Sequence, residues 1–200
     1  MFIGKYNKSV IVTYIGVIFG VLGTMFVMSN NLSYAMICLI FAGICDLFDG
    51  KVARMCKRTE EEKEFGIQID SLADVFLFLG LPAFMGAKLF AEKKFLGVAI
   101  VLYVLGGIIR LAWFNLIADT EGPVKHYTGL PVTSAALILP LIHTLGLLFN
   151  FFNVYLWAAI YLSMAILFIL NIKIPKPKGI WYAIFSIMAV AVTAIIIMWS

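Results

Sequence analysis

Of 200 residues, 63% are hydrophobic and 13% are charged, whereas about half of a soluble domain is apolar, so a soluble globular chain is excluded. The formal net charge is +4, yet no folded nucleic-acid-binding module is visible, and nucleic acid is not expected as a partner. The bilayer is the solvent that this composition suits.

A membrane-spanning helix needs roughly 20 mainly apolar residues. The chain offers such stretches near 9–28, 32–54, 66–90, 95–118, 130–149, 153–171 and 180–199. They are long and continuously apolar, as helices that satisfy their own backbone must be, and they lack the short alternation of a membrane β-barrel. The predicted fold is all-α: a polytopic transmembrane helical bundle of about seven spans, in which residues 1–200 form a single integral membrane domain.

The first run follows Lys5 and Lys8. It is long and has no small-residue cleavage site, so it is expected to be a retained span. The second carries Cys38 and Cys45, with Cys56 just beyond. At ~1.5 Å rise per residue even the nearer pair is too far apart along one helix to bridge, which leaves core thiols. His126 and His143 are remote from them and lack ligand spacing, so no zinc site is expected.

Four of the five aspartates fall between positions 46 and 74, where the second run ends and the third begins. A carboxylate at a membrane helix end costs several kcal/mol unless it is paired. Asp46, Asp49, Gly50 and Ala53 stand at i, i+3, i+4 and i+7, while Gly66, Asp70 and Asp74 stand at i, i+4 and i+8. Each set therefore lines one helical face. Two antiparallel helices joined by a polar turn over Lys57–Glu64 would bring both faces to one cavity. Arg54 and Lys51 cannot neutralise four carboxylates, but divalent cations can, and all-oxygen ligation suits Mg²⁺ or Mn²⁺. Small residues at Gly50, Ala53 and Gly66 either admit a bulky ligand to the backbone or serve close helix packing.

Further along, Arg110 stands in a predicted span, where it either contacts a ligand or reaches back to the interface. Asp119, Glu121 and Lys125 are expected in a solvated loop, and Phe149, Phe151, Phe152 and Tyr155 as an interfacial belt. A cytoplasmic N-terminus puts twelve of the fifteen Lys and Arg residues on the inner side. That bias predicts a multi-pass cell-membrane protein whose aspartate face opens to the cytoplasm.

The pattern Asp-x2-Asp-Gly-x2-Ala-Arg, then Gly-x3-Asp-x3-Asp, resembles the signature of the CDP-alcohol phosphotransferase family, and every fixed letter is present. One departure is that eleven residues separate Arg54 from Gly66, more than in most members. Lys63 consequently stands where the family makes a small hydroxyl contact. Within the family, the stretches Lys57-Arg58-Thr59, Glu64 to Leu72, Arg110 to Asn115 and Thr128 to Pro131 are most similar to bacterial-type phosphatidylserine synthases.

The resemblance implies a six-helix core plus an extra helix, a homodimer, and two metal ions held by Asp46, Asp49, Asp70 and Asp74. It implies transfer of the phosphatidyl group of CDP-diacylglycerol to the hydroxyl of L-serine, with release of CMP and with Asp74 as general base. Arg54 would hold a phosphate, Gly50 and Ala53 the cytidine side, and Gly66 the close approach. Arg110 would clamp the serine carboxylate, with Asn115 and Lys125 as helpers. A sister enzyme with another acceptor (glycerol 3-phosphate, inositol phosphate) or an archaeal lipid donor would carry the same metal site. An ion transporter with intramembrane carboxylates is the reading from a different class.

Overall fold

A computed structural model describes residues 3–121, 126–175 and 180–199 of the chain. Its helices are α1 (Ile11–Met28), α2 (Leu32–Met55), α3 (Glu60–Asp74), α4 (Leu81–Leu89), α5 (Gly97–Glu121), α6 (Ala135–Phe149), α7 (Val154–Ile169) and α8 (Ile180–Trp199). α3 and α4 run on through a π-helical segment, Val75–Gly80, so they make one continuous element. Five helical stretches are long and apolar enough to cross a membrane, and two shorter apolar helices follow, which matches the expected bundle.

Local signals explain where the helices begin. Asn31 accepts a hydrogen bond from the Tyr34 amide and opens α2, after a reversal at Asn30 in the left-handed region (φ 62°). Thr59 and Glu62 form a reciprocal capping box that starts α3 at Glu60, inside the stretch expected to be turn. Most of the extra residues between Arg54 and Gly66 therefore extend a helix, and the turn between α2 and α3 is only Cys56–Thr59. The N-terminal segment rests on this corner: Lys5 pairs with Glu61 at 2.6 Å and Asn7 Nδ2 donates to the Lys57 carbonyl at 3.1 Å.

α1 packs along α2, α5 along α7, and α6 against α2 and α8. Close approach is built into α1. Gly16, Gly20 and Gly23 share one buried face, and a Cβ at Gly20 would lie 2.4 Å from Leu77 Cδ2. The core comprises Met36, Leu39, Phe78, Leu79, Leu81, Met85, Tyr103 and Tyr161, all fully buried between α2, the π segment, α4, α5 and α7.

The π segment has an identifiable cause. Pro82 has no N–H to offer the Phe78 carbonyl four residues earlier, and the Leu81 N–H bonds the Phe76 carbonyl five residues back. The buried Tyr103 hydroxyl donates to the Phe78 carbonyl at 2.5 Å, and that of Tyr161 donates to the Pro82 carbonyl at 2.6 Å. Backbone oxygens that water cannot reach are thus satisfied by side chains of α5 and α7.

Two further features differ from the expectation. α5 continues through Glu121, so Asp119 and Glu121 belong to its last turn and not to a loop. A two-stranded antiparallel ribbon, β1 (His126–Thr128) with β2 (Lys173–Pro175), pairs Tyr127 with Ile174 and joins the segment before α6 to that after α7. His143 is buried in α6, where Ser33 Oγ lies 3.1 Å from its Nε2, and the three cysteines are free thiols.

Candidate active site

The two aspartate faces meet. One carboxylate oxygen each from Asp46, Asp49 and Asp70 lie within 4.8 Å of one another. Asp74, one turn on from Asp70 along α3, neighbours Asp46 closely enough for the two carboxyls to interact. α2 supplies the first pair one turn apart, and α3, returning after its short turn, supplies the second. Asp49 is the most enclosed of the four, 8% exposed, while the others are half-buried.

Charge balance decides what this cluster can hold. Two carboxylates about 4 Å apart repel by about 4 kcal/mol at an effective dielectric constant of about 20. The ion pairs Lys5–Glu61 and Lys63–Glu60 use none of the aspartates. An oxygen-only donor set of this density fits a hard divalent cation, which would neutralise the cluster and keep open positions for a ligand's own oxygens. Asp46, Asp49 and Asp70 could hold one ion between them, and Asp74 adjoins it through Asp46.

The surroundings are open where a ligand would approach. Among the described residues, a Cβ on Gly50 would meet nothing nearer than Arg54 Nη1 at 3.7 Å, and one on Gly66 nothing nearer than Arg58 Nη1 and Val10 Cγ1 at 3.8 Å. Packing of the described helices therefore does not require glycine at either position, and there is room beside each for another molecule. Two guanidinium groups flank that space. Arg54, exposed, lies back along α2 over Gly50, and Ala53 beside it is half-buried. Arg58 had no role assigned from the sequence beyond its place in the Lys57-Arg58-Thr59 stretch, because its position in a polar turn gives no periodicity to read.

α5 reaches the same region. Asn115 Nδ2 donates to Ser71 Oγ at 3.0 Å and Ser71 Oγ to Asn115 Oδ1 at 3.3 Å, which ties α5 to the residue that follows Asp70. One turn earlier on α5, Arg110 is 6% exposed, with its guanidinium carbon 5.1 Å from the centre of the Phe114 ring. The side chain is thus enclosed by the fold. Lys125 lies outside the described residues. Two partners of the site were missed in the sequence, Ser71 and Thr13. Thr13 Oγ1 donates to Asp49 Oδ2 at 3.3 Å, and the available signal was its place on the Gly16, Gly20, Gly23 face of α1.

The family model of the CDP-alcohol phosphatidyltransferases matches residues 7–169. The chain belongs to this family. It is 30% identical, over 80% of its own length, to the archaetidylserine synthase of Methanothermobacter thermautotrophicus. It is 32% identical, over 76%, to the CDP-diacylglycerol–serine O-phosphatidyltransferase of Helicobacter pylori. The chain spans 66% and 65% of the length of these two relatives. It also resembles the protein of the same name from Methanocaldococcus jannaschii, at 32% identity over 88% of this chain and 78% of that one. The family match begins at Asn7 and includes the whole of α1 to α3, so the carboxylate cluster lies within the shared part.

Proposed function

We propose that the chain transfers the phosphatidyl group of CDP-diacylglycerol to the hydroxyl of L-serine, giving phosphatidylserine and CMP. The observation that carries this reading is the convergence of Asp46, Asp49 and Asp70, with Asp74 against Asp46, on two helices whose glycine-bearing sides are open. The names of the relatives, serine phosphatidyltransferases with either a diacylglycerol or an archaeal lipid, support serine as the acceptor.

In this reading Asp46, Asp49, Asp70 and Asp74 hold two Mg²⁺ or Mn²⁺ ions. When bound, such ions neutralise the pyrophosphate of the donor and the charge that develops on the transferred phosphoryl group. Gly50 and Ala53 leave room for the cytidine side, Gly66 for the phosphates, and Arg54 holds a phosphate oxygen. Asp74 takes the proton from the serine hydroxyl as that oxygen attacks the lipid-bearing phosphorus, and the bond to the CMP oxygen breaks. Arg110 clamps the serine carboxylate from α5, whose end is fixed beside Asp70 by the Asn115–Ser71 pair, with Asn115 and Lys125 as helpers.

The charge bias supports a site facing the cytoplasm in the cell membrane, and the family resemblance supports a homodimer in which residues 1–200 act as one domain. The test is to incubate purified protein with CDP-diacylglycerol, Mn²⁺ and serine and to measure CMP. CMP should appear only with all three, and glycerol 3-phosphate or inositol phosphate should not replace serine. CMP release that ignores serine but follows another alcohol would overturn the acceptor, and no release with any alcohol would overturn the transferase. The likeness to an archaetidylserine synthase gives a second reading for the donor alone. A CDP-activated archaeal ether lipid offered in competition decides it.

A further inference from the structure

A hydroxyl on a membrane helix has a ready partner in the carbonyl four residues earlier. Thr24 uses it, donating to Gly20 at 3.0 Å, as do Ser29 to Met25 at 2.7 Å and Thr144 to Pro140 at 2.8 Å. Thr13 does not. Its Oγ1 reaches across the helix pair to Asp49 Oδ2 at 3.3 Å. The two residues are 7% and 8% exposed, so the contact, although long for a hydroxyl donor, lies mostly out of solvent.

The height of Thr13 on α1 is set by close packing. Gly16, one turn on, would place a Cβ 3.3 Å from Cys45 Cβ, and Gly23 would place one 2.8 Å from Leu81 Cδ2. α1 is therefore locked against α2 and α4, and Thr13 with it. A neutral donor is the suitable chemistry here. It fixes the rotation of the Asp49 carboxylate without bringing a positive charge that would compete with a cation for the same group.

We infer that Thr13 is a positioning residue that holds the Asp49 carboxylate in the orientation from which it binds a divalent cation together with Asp46 and Asp70. This rests on the proposal that the aspartates hold metal, and it adds a residue from outside the two aspartate-bearing helices. Partners that orient metal ligands typically change affinity by about 10- to 100-fold when removed.

The test uses the full chain in detergent, with no lipid and no serine, titrated with Mn²⁺ while free ion is read by electron paramagnetic resonance. Thr13→Val keeps the shape and removes the donor, and it should weaken Mn²⁺ binding about 10-fold, whereas Thr13→Ser should stay within about 3-fold of the parent. In turnover, the half-saturating Mn²⁺ concentration of Thr13→Val should rise in parallel, with the KM for serine at saturating Mn²⁺ unchanged. If Thr13→Val is not monodisperse, Thr13→Ala replaces it with the same expectation. Parent-like Mn²⁺ binding in the variant lacking the hydroxyl overturns the inference, and so does equal weakening in Val and Ser variants, which would point to packing. Asp49→Asn separates the two levels. If it too binds Mn²⁺ like the parent, the metal site itself is misplaced; if it alone loses binding, only the role of Thr13 falls.

Discussion

Two groups of glycines in this bundle look alike in sequence and differ completely in space. At Gly106 a Cβ would sit 2.8 Å from the Ala165 carbonyl oxygen, and at Gly107 it would sit 2.2 Å from Leu79 Cδ2, so both are glycine because helices touch there. At Gly50 and Gly66 the nearest atoms are 3.7 and 3.8 Å away, and nothing in the chain itself forbids a methyl group. The first pair belongs to a wall whose residues are set by packing. The second belongs to a face where, among the described residues, packing sets no such demand, which is what the proposed donor site needs. The same division separates residues whose loss lowers stability from those whose loss lowers turnover.

The largest effect is expected on the clear face. Asp74→Asn should reduce CMP release by about a thousandfold or more, because it removes the base and weakens the cation site together. Its thermal midpoint in detergent should not fall, since the apolar spans hold the bundle. Gly106→Ala should behave in the opposite way: the methyl meets backbone, α5 and α7 must part, and about 1–3 kcal/mol of stability should be lost, read as a lower unfolding midpoint. Gly66→Ala sharpens the contrast further. Inside a helix with room for the methyl, alanine is favoured by about 0.5–1 kcal/mol, so the midpoint should hold or rise while kcat/KM for the lipid donor drops about tenfold. Full activity in Gly66→Ala would mean that no ligand approaches that face.

Arg110→Lys should raise the KM for serine about tenfold, equivalent to ~1.4 kcal/mol, and leave that for CDP-diacylglycerol alone, since Lys keeps the charge and loses the planar fork. Equal weakening of both substrates would place Arg110 in the phosphate site or in the wall. The smallest effect belongs to Asp119→Asn, which lies outside the aspartate pattern of α2 and α3 and should change turnover by less than about 2-fold. A loss approaching that of Asp74→Asn would show that the catalytic face is misassigned.

Hydropathy made the seven apolar segments legible, because each must satisfy its own backbone within one stretch of chain. The i, i+3, i+4 spacing made the aspartate faces legible, because a helix converts spacing directly into direction. What could not be read was anything that joins distant residues. Thr13 sits in an apolar run 36 residues before Asp49, and Ser71 and Asn115 are 44 residues apart; the glycine face of α1 marks Thr13 as facing a neighbour, but no local pattern names the partner in either contact. The ribbon of His126–Thr128 with Lys173–Pro175 is three residues a side and pairs across two helices. The start of α3 is different: Thr59-x-x-Glu62 is a local signal, and weighting polarity above capping hid it.

The π segment between Asp74 and Pro82 works as a phase joint in the third span. An α-helix advances about 100° per residue, and a π turn inserts roughly one residue's worth of rotation. The later half, Leu81–Leu89, is therefore indexed to α5 and α7, whose Tyr103 and Tyr161 hydroxyls donate to the Phe78 and Pro82 carbonyls. The earlier half brings its aspartates to those of α2. Were the span one unbroken α-helix, the two halves would follow one another at an angle different by about one residue's rotation, and one of the two packings would be out of phase. The joint lets a single span present its aspartates to α2 and its aliphatic side chains to α5 and α7.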